Sequence, residues 1–264
     1  MTILKPVKEF TDKWIEEIKE EIKELKLEPK LAIVQVGDNP ASDKYIKNKI
    51  NDCNKVGITA HHYWFPEETT EADLIWEITE LQKHYDGLIV QLPLPKHINP
   101  EVISQNILPE KDVDGFHPMS LFKPATPLGI MKYLKYCDFD VYGKDVVILG
   151  RSKTVGKPLA QMMTDADATV TLCHSKSRIG KHIYHCDLII SAVGKPRFLN
   201  CQLVDVPVID VGINFDENGN MVGDCYHTKG KDVTPVPGGV GLLTRCALLA
   251  NTVEAARLGR EYGC

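Results

Sequence analysis

The sequence lacks the features that mark membrane, secreted and nucleic-acid-binding proteins. No stretch approaches the roughly 18 consecutive apolar residues of a membrane-spanning helix, and residues 1–10 lack the apolar run of a signal peptide. The net charge is -5 at pH 7, so the chain has no excess of basic residues with which to hold duplex nucleic acid. We therefore expect a soluble, cytoplasmic protein with neither nucleic-acid nor membrane partners.

The chain also lacks a C-x-x-C pair, although it contains eight cysteines. They are scattered, and several lie in apolar segments, so we expect reduced thiols in the core. His182 and His185 are three residues apart, but two histidines without a third convergent ligand do not indicate a metal site. We assign no metal.

Internal repeats and low-complexity segments are absent, and helix-like and strand-like segments alternate instead. The runs that predict strands are Leu31–Val36, His61–Phe65, Gly87–Gln91, Asp145–Leu149, Thr169–Cys173, Leu188–Ser191 and Val208–Val211. This alternation predicts an α/β protein of two domains with a cleft between them, the second a Rossmann-like doubly wound parallel sheet. We place the first domain at residues 1–122 plus 241–264 and the second at residues 123–240.

Tyr45 and Lys49 lie four residues apart in a segment with clear helix signals. Asn39 is a candidate N-cap, Pro40 suits the first helical position and Gly57 ends the segment. A lysine at the edge of the core, beside a ring that can stack, is suited to proton transfer. The alternative is a solvated helix with both side chains at its rim.

A glycine turn follows the strand Asp145–Leu149 directly, in the range 150–156. Glycine permits close approach of the backbone, and the next helix offers its N-terminal amides to a phosphate. The next strand ends in His174 and Ser175 and not in the acidic residue that binds the ribose of NAD, which favours NADP. The alternative is a turn that only packs helix on strand.

Three further segments carry candidate residues. Gln91 stands at the carboxyl end of a strand, where it is placed to orient Lys49 or bind a heterocycle, and Asp114 lies in a loop where it can accept from an amino-pyrimidine. Pro235–Gly241 is rich in Pro and Gly and predicts a rigid loop. Each has a plain structural alternative: a strand-end cap, a turn residue and a connector.

Taken together, these motifs resemble the methylenetetrahydrofolate dehydrogenase/cyclohydrolase family. The matching segments are Val36–Ser42 leading to Tyr45 and Lys49, Val90–Pro95, Lys111–Phe116, Pro124–Pro127, Gly150–Ser152, Val208–Asn214 and Thr234–Gly241. They occur in the family's order over residues 30 to 255. Leu242–Leu243 stands where the family often has Pro-Met, and the amino terminus lacks its usual Asp-Gly-Lys opening.

The resemblance implies a bifunctional enzyme of one-carbon metabolism and purine biosynthesis. It would oxidise 5,10-methylenetetrahydrofolate with NADP and hydrolyse the methenyl product to 10-formyltetrahydrofolate. By motif, Tyr45 would stack on the folate, Lys49 would promote the proton transfers, Gln91 would hold Lys49 and Asp114 would anchor the pterin.

The same resemblance implies where the cofactor and the rest of the folate bind. Gly150, Arg151, Ser152, Ser175 and Ile213 would contact NADP, and Pro237, Gly238 and Gly239 would border the folate. A homodimer is implied as well.

Two other classes share part of the pattern. Short-chain NADP oxidoreductases use a Tyr-x-x-x-Lys pair, but theirs follows the nucleotide loop, whereas Tyr45 precedes Gly150. A catalytically silent nucleotide-binding regulator could keep the fold without the intact set of Tyr45, Lys49, Gln91 and Asp114.

Overall fold

The computed structural model describes residues 3–262, which divide into two compact units. The first unit comprises Trp14–Ala125 with the residues from Arg245 onward, and the second comprises the residues up to Lys13 with Thr126–Thr244. Helix α1 (Val7–Leu25) and helix α8 (Val240–Tyr262) contribute residues to both units.

The first unit is built on a parallel sheet of three strands in the order β2-β1-β3. Its elements after α1 are β1 (Lys30–Val36), α2 (Pro40–Val56), β2 (Thr59–Phe65), α3 (Glu71–Leu81), β3 (Gly87–Val90) and α4 (Pro100–Gln105). The chain moves from the central β1 to β2 on one side and then to β3 on the other. This reversal leaves a crevice beyond the carboxyl ends of β1 and β3, the usual ligand site of such sheets.

Apolar side chains on one face of this sheet pack against α3. Thr70 caps the helix by accepting from the Asp73 amide, which fixes where the helix begins. Leu74 and Ile78 are fully buried against Val34 and Leu88 of the strands. The spacing of these two residues is the helical period that predicts an inward face.

The second unit contains a parallel sheet of four strands in the order β5-β4-β6-β8. Its elements are α5 (Ala125–Tyr136), β4 (Asp145–Leu149), α6 (Gly156–Asp165), β5 (Thr169–Cys173), α7 (Gly180–Ile183), β6 (Leu188–Ser191), β7 (Leu199–Asn200), a 3-10 turn (Cys201–Leu203), β8 (Val208–Asp210), β9 (Asn214–Phe215), β10 (Met221–Val222) and β11 (Cys225–Tyr226). The four long strands are almost wholly buried except for β5 at the sheet edge. The predicted two-domain α/β class with parallel sheets is confirmed.

Element boundaries differ from the predictions by a few residues. Strand β2 begins at Thr59, two residues before the predicted start, and β3 ends at Val90, one residue before the predicted end. Helix α4 and the short β7–β11 pair have no predicted counterpart. Strands β9 and β10 pair antiparallel as a small hairpin.

Seven of the eight cysteines lie in the described range, and six of them are buried, in keeping with the predicted core positions, whereas Cys186 is half-buried. Cys264 lies outside the described residues.

None of the helices within residues 3–262 has both the length and the apolar character required to cross a membrane.

Candidate active site

Lys49 and Gln91 meet at the carboxyl edge of the first sheet. The Lys49 ammonium donates to Gln91 Oε1 at 3.2 Å. Two further hydrogen bonds fix Gln91. Its backbone N–H donates to Val34 O at 2.8 Å, and its side-chain Nε2 donates to Leu92 O at 2.8 Å. The side-chain oxygen of Gln91 is therefore left to face the lysine.

Helix α2 positions Lys49 and Tyr45 one turn apart on one face. The helix begins as predicted, since the Ser42 amide donates to Asn39 Oδ1 at 3.2 Å. Ile46 and Cys53 are buried and hold the helix against the core, while Tyr45 and Lys49 remain half-buried. A half-buried ammonium keeps part of its hydration and can still reach a bound ligand.

Asp114 lies close enough to Lys49 for their charges to interact. Burial raises the pKa of the Asp114 carboxyl above its ordinary value of 3.8, and the charge of Lys49 acts in the opposite direction. Neither Asp114 nor Lys49 has a carboxylate–ammonium contact of ion-pair length among the described residues. A ligand that donates hydrogen bonds would therefore find the Asp114 oxygens available.

The loop that carries Asp114 is held on both sides. Asp112 forms an isolated parallel bridge with Leu88, which ties the segment to the β3 edge of the sheet. Asn251 of α8 donates to Val113 O at 2.8 Å and to Lys123 O at 3.0 Å. These contacts place the Asp114 side chain at the same edge of the sheet as Gln91.

An ion pair with a buried carboxylate lies about one turn beyond Lys49 in α2 and has no counterpart in the sequence prediction. Asp52 is only 4% exposed and accepts from Arg245 of α8 and from Lys55 at 3.2 Å. The pair joins residues that are far apart in the chain, so spacing within α2 gives no signal for it. It fixes the turn of α2 that follows Lys49 against α8.

In the second unit, the glycine turn lies at the carboxyl edge of the sheet. Gly150 follows β4 with φ 112°, and a Cβ there would lie 2.1 Å from Ala192 O. A Cβ on Gly156 would likewise lie 2.1 Å from Gly150 O. Only glycine fits both positions, and this packing brings the turn and the start of α6 close enough to cradle a phosphate.

The other cofactor candidates lie at the same edge. Ser152 Oγ accepts from the amides of Val155 and Gly156 at 3.1 and 3.3 Å, and its neighbour Arg151 is exposed. Ser175 lies in the exposed turn after β5, and Ile213 is 46% exposed after β8. No carboxylate follows β5 in this turn, so the residues present fit a cofactor that carries a phosphate on its ribose.

Pro237, Gly238 and Gly239 form a turn of the second unit just before α8. Pro237 and Gly238 are exposed, whereas Gly239 is buried. A Cβ on Gly239 would lie 2.2 Å from Pro235 O, which explains the glycine there. The structure thus brings Tyr45, Lys49, Gln91 and Asp114 together in the first unit and the cofactor candidates together in the second.

Comparison with protein families agrees with this division. Residues 6–114 match the family model described as tetrahydrofolate dehydrogenase/cyclohydrolase, catalytic domain, and residues 124–260 match that family's NAD(P)-binding domain. The chain belongs to the tetrahydrofolate dehydrogenase/cyclohydrolase family. It is thus an enzyme with two activities, an oxidoreductase and a hydrolase of tetrahydrofolate derivatives.

Curated members of the family and solved structures match over most of the chain. Bifunctional protein FolD of Burkholderia ambifaria is 44% identical over 87% of this chain and 87% of its own. The structure of the bifunctional FolD dehydrogenase/cyclohydrolase of Campylobacter jejuni is 42% identical, has a TM-score of 0.91 and covers 96% of this chain and 97% of its own. That of Trypanosoma brucei FolD, complexed with NADP and an inhibitor, is 28% identical with a TM-score of 0.91, covering 97% of this chain and 98% of its own.

Asp114→Asn is expected to make the folded protein more stable at neutral pH. The raised pKa of Asp114 means that the folded chain binds more protons than the unfolded chain just above pH 3.8, so its charge opposes folding as pH rises. Asparagine removes that cost. Urea unfolding at pH 5 and pH 7 measures the effect.

The matched control for this substitution is Asp205→Asn, whose side chain is 97% exposed and which should change stability little. Some loss of stability with rising pH will persist in Asp114→Asn, because burial also raises the pKa of Asp112. A lower free energy of unfolding at pH 7 for Asp114→Asn than for the parent would contradict the account.

Proposed function

We propose that the first unit binds tetrahydrofolate derivatives at Tyr45, Lys49, Gln91 and Asp114, and that Lys49 handles the protons of the hydrolysis. The observation that carries this proposal is the Lys49–Gln91 hydrogen bond of 3.2 Å at the carboxyl edge of the sheet. The overall reactions are oxidation of 5,10-methylenetetrahydrofolate to the methenyl form and hydrolysis of that product to 10-formyltetrahydrofolate.

In the oxidation, the protein mainly orients the substrate. The Tyr45 ring offers a stacking surface for the folate, and the Asp114 carboxylate accepts from the N–H groups of the amino-pyrimidine edge. When bound, NADP supplies the acceptor for the hydride that leaves the methylene carbon. No side-chain proton transfer is required for that step, so Lys49 has no direct part in it.

In the hydrolysis, three proton movements accompany the changes in bonding. Water adds to the methenyl carbon and loses one proton, the bond from that carbon to N5 breaks as N5 takes up a proton, and the remaining hydroxyl proton leaves to solvent as the formyl C=O forms. Lys49, as an amine, accepts the first proton and, as an ammonium, supplies the proton to N5. Gln91 Oε1 holds the lysine by accepting one of its N–H bonds.

For the cofactor, we propose that NADP contacts Gly150, Arg151, Ser152, Ser175 and Ile213. The glycine turn receives the pyrophosphate, and Arg151 with Ser175 receives the phosphate of the ribose. We propose residues 1–122 plus 241–264 as the folate domain and residues 123–240 as the NADP domain. The compact units differ from these bounds because the residues up to Lys13 group with the second unit, and the family's NAD(P)-binding model extends to residue 260. The proposal of NADP itself is supported by that family match and by the Trypanosoma brucei structure, which contains NADP.

Pro237, Gly238 and Gly239 are proposed to border the folate, on the strength of their match to the family's motif. We also propose that the protein is a cytoplasmic homodimer serving one-carbon metabolism and purine biosynthesis, in keeping with the same resemblance. Nucleic acid and membrane are not proposed as partners, since the net charge is -5 and no apolar run approaches membrane length.

A short-chain oxidoreductase or a silent nucleotide-binding regulator is not favoured. Short-chain enzymes carry the Tyr–Lys pair in the nucleotide-binding domain, whereas Tyr45 and Lys49 lie in the first unit and Gly150 lies in the second. The Lys49–Gln91 contact is retained, which a silent regulator would not need.

Lys49→Met is expected to lower cyclohydrolase kcat at least about 100-fold, the range in which a proton-transferring side chain contributes. NADP binding should persist, because Lys49 is remote from the cofactor candidates in the sequence and lies in the other unit. Hydrolysis of methenyltetrahydrofolate, followed by absorbance, measures the first effect, and calorimetric titration with NADP measures the second.

Lys47→Met is the control, since Lys47 is an exposed lysine of the same helix. It should retain both activities. Methenyl hydrolysis at the parent's rate in Lys49→Met would remove this lysine from the mechanism.

The enzyme is expected to use NADP at least about tenfold better than NAD in kcat/KM, since a charge-assisted hydrogen bond contributes about 1.5–3 kcal/mol. Arg151→Ala should narrow the ratio by raising the KM for NADP more than the KM for NAD. Steady-state oxidation of methylenetetrahydrofolate with each cofactor gives the answer. A lower KM for NAD than for NADP in the parent enzyme would refute the preference.

A further inference from the structure

Asp224 is a fully buried carboxylate and is not among the candidate site residues. Its Oδ2 accepts from the amides of Val193 and Gly194 at 2.7 and 3.2 Å and from Ser191 Oγ at 3.2 Å. Its Oδ1 accepts from the Lys195 amide at 2.9 Å and from Asn214 Nδ2 at 3.0 Å. Five donors therefore converge on one side chain.

Ser191 ends β6, and the other donors lie in two segments at the carboxyl edge of the second sheet. Loop 192–195 follows β6 and carries three of them, and loop 211–214 follows β8 and ends at Asn214, the first residue of β9. Strands β6 and β8 are neighbours in the sheet, so the two loops leave it side by side. Asp224 lies between them and bonds to both, which makes it the link that sets their separation.

Both loops also touch the candidate cofactor residues. Ala192 O packs so closely on Gly150 that a Cβ there would lie 2.1 Å away, and Ile213 stands in the second loop. Gly212 packs equally closely, because a Cβ on it would lie 2.4 Å from Asp224 Oδ1. A shift of either loop would consequently move the glycine turn or Ile213.

Asp224 is itself held by a second buried carboxylate, Asp210 at the end of β8. Asp210 Oδ1 accepts from the amides of Gly212 and Asp224 at 2.9 and 3.0 Å, and its Oδ2 accepts from the Cys225 amide at 2.9 Å. A Cβ on Gly223 would lie 2.0 Å from Asp210 Oδ2, so the backbone before Asp224 is tightly packed as well. Asp210 and the tight packing at Gly223 thereby fix the backbone that carries the Asp224 carboxylate.

A carboxylate is required here because every partner is a donor. An asparagine would place an NH2 group against at least two of the N–H donors, and it would lose the charge that strengthens these bonds. The substitution Asp224→Asn keeps the volume of the side chain. It therefore separates the hydrogen-bonding role from packing.

We propose that Asp224 is a positioning residue of the NADP site, which acts by holding loops 192–195 and 211–214 against the glycine turn at Gly150. The inference rests on the proposed binding of NADP by the second unit. It assigns a role to a residue that contacts neither substrate nor cofactor.

The test compares Asp224→Asn with Asp187→Asn in the full-length protein. Asp187 also accepts from a backbone amide, that of Asp145 at 2.9 Å, but at the amino end of the same sheet. Calorimetric titration should show NADP affinity reduced at least tenfold in Asp224→Asn and unchanged in Asp187→Asn. Methenyl hydrolysis, which needs no hydride acceptor, should stay within twofold of the parent in both.

Hydrogen exchange supplies a readout that does not depend on activity. The amides of residues 193–195 should lose protection in Asp224→Asn, while those of β4 and β6 keep theirs. Should Asp224→Asn fail to fold, Asn214→Ala takes its place, because it removes one donor and leaves the carboxylate bonded to loop 192–195. Asn214→Ala should then weaken NADP binding by a smaller factor.

Different results would overturn the proposed binding of NADP and the proposed role of Asp224. If the parent protein binds no NADP, the proposed function falls and this inference falls with it. If the parent binds NADP and a folded Asp224→Asn or Asn214→Ala variant binds it equally well, only the role of Asp224 is overturned. Unchanged protection of residues 193–195 in Asp224→Asn would overturn it too.

Discussion

The hydrogen bond between Lys49 and Gln91 is the contact on which the candidate site depends. It joins helix α2 to the residue after β3, and Gln91 is fixed to the sheet because its backbone amide donates to Val34 O of β1. A flexible lysine would otherwise sample many rotamers and lose entropy on meeting a substrate. Held by Gln91, its ammonium has a defined direction before the substrate arrives.

Lys49 forms no ion pair within residues 3–262, although charged groups lie close to it on the same helix. Asp52 is neutralised by Arg245 and Lys55, and it thereby anchors α2 without forming an ion pair with Lys49. Burial raises the pKa of the Cys53 thiol to about 12, so this neighbour on the same helix stays protonated at neutral pH and adds no charge. The charge of Asp114 also interacts with that of Lys49, although no ion pair joins the two side chains in the described part of the chain.

Local signals in the sequence predicted the elements that carry the site. Asn39, Pro40 and Gly57 mark the bounds of α2 because caps and turns depend on residues within a few positions of one another. Strand boundaries were less certain: Gln91 lies just beyond β3, although it still bonds to β1. The alternation of strands and helices was enough to predict both parallel sheets.

Contacts between distant parts of the chain were not predictable in this way. Arg245 is 193 positions from Asp52, and Asp224 meets donors in two loops that only the folded sheet brings side by side. A buried carboxylate and an exposed one look alike in a sequence, because burial is a property of the tertiary structure. The sequence pattern therefore indicates the residues proposed to touch ligands but carries no signal for those that hold them in place.

The central claim is that Gln91 acts in the hydrolysis through Lys49, and a double-mutant cycle tests this claim most directly. Cyclohydrolase kcat would be measured for Lys49→Met, Gln91→Met and the double variant, with dehydrogenase activity followed in the same samples. We expect the double variant to be no slower than Lys49→Met, because Gln91 acts through the lysine. Independent, multiplicative losses in the double variant would contradict the account.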